Sequence, residues 1–413
     1  MNRARLREIA PISLIIAFAL ILRLWRLNLP KGYIFDEVYY AKNANSLIRN
    51  GVELNAQGQA EFIVHPPLGK WLIGIGIKVF GNDEFGWRIS AAVIGTLSVV
   101  LIYLITKELF KSVFLSNIAA ALMAFDGLAL VMSRVALLDI FLMFFILLAF
   151  YFLIKNNIWL SGVAIGLAAA TKWSAIFLIP FFILLTINYF QIEPVKWLKR
   201  AAQYIFLPSL VYLLSWSGWI FTSGGWDRQS GSNVFTSLCK YHTAILDFHR
   251  NLVETHSYAA NPWSWLIMGR PTSFFYETPK SCGGTSCSQE ILALGTPILW
   301  WAATLALLVT IGFWFSKRER QAEILLVVIG ASYLPWFAIQ ERTMFSFYAI
   351  AFEPFILLTL VYLLSKVVKN QQKIATAFGA IVLVNFLYFL PIFLGLVITY
   401  NSWRDRMWLP SWI

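Results

Sequence analysis

Tyr33-Ile34-Phe35-Asp36-Glu37-Val38-Tyr39-Tyr40-Ala41-Lys42, with its sequel His65-Pro66-Pro67-Leu68-Gly69-Lys70, is the stretch from which the rest of the chain is read. Two adjacent carboxylates, Asp36 and Glu37, follow the first strongly apolar segment, with aromatic residues on both sides. A chain at the water face of a bilayer looks like this, because amphipathic rings collect there. Acids at such a boundary are expensive to desolvate, and ionisable residues held there mark function. The bland alternative is a pair of solvated loop charges, or Asp36 capping a short helix through 38–41.

Composition sets the class around this stretch. Of 413 residues, 59% are hydrophobic and 13% charged, and mean hydropathy is +0.68. Soluble domains carry about 25% charged residues, so the chain reads as an integral membrane protein with many spans. Its 18 Trp suit two aromatic belts. The net charge of +12 comes from basic residues scattered between apolar runs, without a patch. Loops that orient a membrane protein account for it, and no nucleic acid is expected as a partner. Three Cys are too few for a disulfide scaffold or a zinc cluster to organise the fold.

Arg3, Arg5 and Arg7 precede a first apolar span at 9–27 with no small-residue cleavage site after it. It reads as a retained transmembrane helix with a cytoplasmic N-terminus. The stretch 28–86 is mixed, and Leu68–Phe80 within it is too short and interrupted to span. That segment is expected along the outer interface, with Lys70 and Lys78 reaching the headgroups. A second span opens at Trp87-Arg88 and runs to 106. Others follow at 113–131, 137–154, 158–171, 173–190, 201–221, 291–315, 322–339, 346–366 and 374–399, about eleven in all. The N-terminal tail, 107–111, Lys155, 196–200, 317–320 and 366–373 then fall inside, each net positive or close to it. The positive-inside rule asks for this arrangement, and it puts the C-terminus outside. The chain divides into a seven-span region at 1–221, an outer loop at 222–290 and a four-span region at 291–413.

The outer side collects Asp36, Glu37, His65, Arg88, Arg134, Asp139, Lys172, Glu341 and Arg342, beside the 222–290 loop. Charges at one face, rather than deep in the spans, suggest chemistry or binding at the outer surface, with a lipid-linked substrate from the side and a second substrate from outside. Cys282 and Cys287 bracket a tight loop on the side where oxidation is permitted. A disulfide is expected there, with two free thiols as the alternative, and Cys239 is left unassigned.

With these residues in view, the sequence resembles the protein O-mannosyltransferase family, most closely its bacterial members. The resemblance rests on the two opening segments, Trp87-Arg88-Ile89-Ser90-Ala91 with Gly95-Thr96-Leu97, and Ser133-Arg134-Val135-Ala136-Leu137-Leu138-Asp139. Thr171-Lys172-Trp173, Asn261-Pro262-Trp263-Ser264-Trp265 with Arg270-Pro271, and Arg342-Thr343-Met344-Phe345 complete it in the family's order. It implies an all-α polytopic protein with the C-type membrane glycosyltransferase fold. The implied activity is transfer of mannose, with inversion, from polyprenyl-phosphate-mannose to a Ser or Thr hydroxyl of a protein on the outer face of the cell membrane. The secretion machinery is a further partner that the resemblance implies. Eukaryotic relatives carry a large β-trefoil insert in the long outer loop, for which 222–290 is too short.

A serine hydroxyl needs a base to take its proton, and by resemblance Asp36 is that base. Glu37 is expected to support Asp36 or to bind the acceptor. The leaving group is a lipid phosphate, which needs charge stabilisation, and arginine holds two phosphate oxygens at once. Arg88 is the first choice, with Arg134, Lys172 and Arg342 as further candidates; the alternative for each is a cation snorkelling to the interface. Asp139 is expected to pair with and orient a cation, and His65 to fix its loop, with a metal role a distant second. No Asp-x-Asp pattern is present, so neither metal nor other cofactor is expected. Two other classes stay open: a C-type glycosyltransferase moving another polyprenyl-linked sugar to lipid or glycan, and a transporter of lipid-linked substrates.

Overall fold

Apolar helices make up most of the computed structural model, which describes residues 3–189, 194–367 and 369–413. In the first half they are α1 (Arg3–Leu24), α2 (Glu37–Asn50), α3 (Leu68–Phe80), α4 (Glu84–Phe110), α5 (Val113–Ala124) and α6 (Gly127–Met132). Then come α7 (Asp139–Ile154), α8 (Ile158–Thr171), α9 (Leu178–Tyr189), α10 (Pro194–Ser215) and α11 (Ser217–Phe221). After α12 (Val234–Asn251), the chain adds α13 (Pro297–Lys317), α14 (Arg320–Tyr333), α15 (Glu353–Ser365), α16 (Gln371–Leu394) and the short α17 (Tyr400–Arg404). Among the described residues, four helical stretches are long and apolar enough to cross a membrane: Glu84–Phe110, Pro297–Lys317, Arg320–Ile339 and Gln371–Leu394. Six shorter apolar helices accompany them. The end of the expected 173–190 span lies outside the described residues.

Local signals set the helix starts. Asp83 accepts from the Gly86 N–H (2.9 Å), and Ser112, Asp126 and Asn157 cap α5, α6 and α8 the same way. Each side chain satisfies one of the orphan donors of a first turn. The Asp126 cap also breaks the apolar run 113–131 into two helices. α7 is apolar on nearly every side, so it lies at the centre of the bundle, packed on α4 and α8. α8 meets α10 through Gly162 and Gly166, where a Cβ would come within 2.9 Å of Gln203 O and 2.8 Å of Pro208 Cα. Small residues four apart let two membrane helices approach this closely.

Three expectations are corrected. The chain is mostly, not wholly, helical: β1 (Thr272–Glu277), β2 (Cys287–Ala293) and β3 (Val397–Thr399) form an antiparallel sheet in that order. Its register pairs Thr272 with Ala293, Glu277 with Gln289 and Cys287 with Thr399, and the Cys282–Cys287 disulfide closes the end of the β1–β2 connection. The segment 222–290 is accordingly structured, with α12 opened by an Asn233–Thr236 capping box. Finally, Lys70 does not reach headgroups. It is fully buried, and its ammonium donates to Glu53 Oε1 (2.5 Å) and His65 O (3.2 Å), tying the α2–α3 connection to α3.

One hydrophobic core runs through the bundle. A smaller one, built from Val52, Trp216, Trp219, Leu238, Tyr241 and Ile245, seats α12 on α11 and the α2–α3 connection.

Candidate active site

The acidic pair sits where the loop after α1 turns into α2, and its two members have opposite surroundings. Glu37 is fully buried and accepts four hydrogen bonds. They come from Arg88 Nε (2.7 Å), Arg88 Nη2 (2.8 Å), the Ile34 N–H (3.1 Å) and the Ala136 N–H (2.9 Å). Arg88, also fully buried, gives its other bonds to the carbonyls of Leu27 (3.2 Å), Pro30 (3.1 Å) and Gly32 (3.2 Å). A guanidinium has five N–H donors, and Arg88 makes five bonds within the protein. It has none left for a phosphate. Arg134 is committed too: it donates to the carbonyls of Leu22 (2.7 Å), Arg23 (3.1 Å), Trp25 (2.8 Å) and Arg26 (3.4 Å). Leu22 and Arg23 carry orphan acceptors of the last turn of α1, and Trp25 and Arg26 follow it directly. Glu37, Arg88 and Arg134 together lock α1, the loop behind it, α4 and the turn before α7 into one piece.

Asp36 is built differently. It holds the N-cap position of α2, yet its side chain makes no capping bond, and among the described residues no hydrogen bond reaches its carboxylate. Burial, opposed by Lys172 and reinforced by Asp139, pushes its pKa up to about 6. Lys172 donates to Asp139 Oδ1 at 2.8 Å and lies 4.2 Å above the Tyr348 ring. An unbonded carboxylate therefore lies within the field of a buried cation that is only partly neutralised.

Lys172 is also at the head of a cleft of roughly 750 Å³. His65, His249, Arg250, Glu341 and Arg342 line the polar end, and Ile176, Phe177, Leu246, Trp336, Phe337 and Ile339 line the remainder. The His249 tautomer follows from its partners: the Nε2–H donates to Val64 O (2.9 Å), and Nδ1 accepts from Arg342 Nη2 (3.3 Å). Burial and the adjacent Arg342 lower its pKa to about 4, so it is neutral at physiological pH. His65, whose ring centre is 5.2 Å from that of His249, is likewise held well below the ordinary range by burial and Lys172. Its Nδ1 is buried without a partner.

Of the residues the sequence points to, His65, Lys172, Glu341 and Arg342 line the cleft, Asp139 pairs with Lys172, and Asp36 lies within the field of Lys172. Glu37, Arg88 and Arg134 form the frame behind it. His249, Arg250, Trp336 and Tyr348 join the site without having been singled out. Leu238, His242, Ile245 and His249 recur at helical spacing, the signal that would have exposed α12 and its cleft-facing end. With apolar walls and three cations at one end, the cleft suits a long hydrocarbon ending in a phosphate. The free carboxylate next to it suits proton abstraction.

Residues 13–222 match the family model described as dolichyl-phosphate-mannose-protein mannosyltransferase. Residues 234–412 match that of the C-terminal four-transmembrane region of protein-O-mannosyltransferase. The polyprenol-phosphate-mannose–protein mannosyltransferase of Mycolicibacterium smegmatis is 32% identical, over 97% of this chain and 92% of that one. Among solved structures, the S. cerevisiae protein O-mannosyltransferase Pmt1-Pmt2 complex bound to the sugar donor superposes with a TM-score of 0.81 at 16% identity. That likeness covers 99% of this chain and 93% of the other. ArnT from Cupriavidus metallidurans bound to undecaprenyl phosphate gives 0.61 at 14% identity, covering 92% and 70%. At such identities the two structures speak for the fold alone.

Proposed function

The chain belongs to the dolichyl-phosphate-mannose-protein mannosyltransferase family, and from that premise we propose that it transfers mannose from a polyprenyl phosphate to Ser or Thr hydroxyls of proteins. The polyprenyl tail runs along Ile176, Phe177, Trp336 and Phe337, and the phosphate sits under Lys172 and Arg342, with Arg250 at the rim. Asp36 removes the proton of the acceptor hydroxyl as its oxygen attacks the anomeric carbon. The bond from that carbon to the phosphate oxygen breaks on the opposite face, so the anomeric centre inverts. The phosphate leaves as an anion and keeps the bonding electron pair, stabilised by the two cations. Asp139 keeps Lys172 oriented, and neutral His65 and His249 complete the polar end. Glu37 and Arg88 act as frame, and the phosphate role first considered for Arg88 passes to Lys172 and Arg342.

The observation that carries this proposal is the contrast at one dipeptide: Glu37 has every lone pair engaged, whereas Asp36 is unbonded within the field of Lys172. The ten apolar helical stretches, together with the less apolar α10, support about eleven crossings. The basic inner loops support a cytoplasmic N-terminus and a site on the outer face. Purified Asp36→Asn, assayed with labelled polyprenyl-phosphate-mannose and a Ser/Thr peptide, tests the chemistry. Turnover should fall about 100-fold or more while donor binding persists, because removing a general base costs that much. Near-normal turnover would put the base elsewhere.

A further inference from the structure

Phe35 is the residue before Asp36, and its backbone is unusual. Its φ is +48°, in the left-handed region that a bulky side chain occupies only when its surroundings impose it. Those surroundings are aromatic and come from distant parts of the chain. The Phe35 ring stacks on Phe274 of β1 at 4.7 Å between centres and meets Phe345 and Phe347 edge-on at 5.7 Å each. His256 closes the group at 6.4 Å. Edge-to-face and offset pairs at these separations are attractive and directional, so the ring has one seat.

Among the described residues, none gives the Asp36 carboxylate a hydrogen bond to hold it. Its direction is inherited from its two neighbours in the chain. On one side Glu37 is pinned by four hydrogen bonds. On the other, the seated Phe35 ring fixes the turn. We infer that Phe35 is a positioning residue for Asp36: its ring, held by Phe274, Phe345 and Phe347, maintains the left-handed turn that aims the carboxylate at the acceptor hydroxyl. This rests on Asp36 being the base. The charged and titratable groups that face Asp36 are Lys172, Asp139 and Tyr40, with His256 beyond the Phe35 ring; substitution at 35 leaves them all in the chain.

The test uses purified full-length Phe35→Gly and Phe35→Leu, with Asp36→Asn alongside. Glycine takes a positive φ without strain, so Phe35→Gly removes the ring while easing the backbone. Leucine keeps bulk in the seat. Phe35→Gly should bind polyprenyl-phosphate-mannose with unchanged affinity yet lose about tenfold to 100-fold in kcat, the scale expected when a catalytic group is misplaced. Its acid limb of kcat should also move below about 6, because a loosened Asp36 regains water. Phe35→Leu should recover part of both effects. Wild-type kcat and acid limb in Phe35→Gly, or in Phe35→Leu should the glycine variant not fold, would overturn the inference. So would a loss of donor affinity as large as the loss of turnover. An inactive Asp36→Asn beside a fully active Phe35→Gly removes only the positioning role; a fully active Asp36→Asn removes the base itself, and the inference with it.

Discussion

Two buried acid–base pairs lie at the same end of this bundle and differ in how completely they are satisfied. In Glu37–Arg88 both partners are fully buried and every donor and acceptor is used. In Lys172–Asp139 the ammonium has one carboxylate, one aromatic face and an open cleft in front of it. A closed pair holds backbone segments together. An open pair still has charge to offer a ligand. Chemical type alone does not separate them, since both join a basic residue to an acid at the end of an apolar segment.

Breaking the closed pair should have the largest effect. Glu37→Gln leaves the buried Arg88 guanidinium uncompensated, and removing one partner of a buried pair costs about 3–5 kcal/mol. The variant should therefore show a sharply lower unfolding temperature in detergent and little folded protein. A stable, monodisperse Glu37→Gln would show that the frame does not depend on this pair. Opening the other pair should leave the fold intact. Lys172→Met and Arg342→Ala should each weaken donor binding by about tenfold to 100-fold, the share of one charge-assisted phosphate contact. Equilibrium binding of the lipid donor measures this, and a loss of folding would make Lys172 part of the frame.

A milder effect is expected from pH. Asp36 is a base only when ionised, and its pKa of about 6 lies above the ordinary carboxylate value. Turnover should fall by about tenfold for each unit of pH below that point. Stability should move the other way. A carboxylate whose pKa is raised by folding disfavours the folded state once it is ionised, so Asp36→Asn should unfold at a slightly higher temperature than wild type at neutral pH. Equal unfolding temperatures would mean that Asp36 is not strained by burial.

The smallest effect should come from the three-stranded sheet. Cys282→Ser opens a short loop, worth at most about 2 kcal/mol, and should leave turnover unchanged. Thiol labelling of denatured, unreduced wild type should reach Cys239 alone, the free and exposed cysteine. Labelling at all three positions would contradict the disulfide.

Much of the helical architecture is legible in the sequence, because a lipid-facing helix advertises itself as an apolar run between polar ends. The sheet is not. β1 and β2 are short, and β3 arrives about a hundred residues later as the tail of what reads as a span, Val397–Thr399 after α16. Pairing between distant segments leaves no local periodicity. The site divides along the same line. Lys172, His65 and Arg342 are legible as polar residues at the ends of apolar runs. That Arg88 spends its donors on Glu37 and on carbonyls of the loop after α1, and Arg134 on carbonyls at and just beyond the end of α1, is a matter of tertiary accounting, and no spacing rule reveals it. His249 and Arg250 are hidden for a simpler reason: they sit on α12, a largely polar helix with no long apolar run to announce it.

The seat of α12 has a dynamic consequence. Its apolar face, Leu238, Tyr241 and Ile245, rests on Val52, Trp216 and Trp219 in a small cluster separate from the core of the bundle. Burial of Leu238 and Ile245 is worth about 2 kcal/mol each, far less than what holds α7 in place. Proteins open in cooperative units whose opening free energies differ, and α12 has the makings of one. Its amides should exchange with deuterium long before those of α7. Because α12 carries His249 and Arg250 to the rim of the cleft, donor binding should slow that exchange selectively.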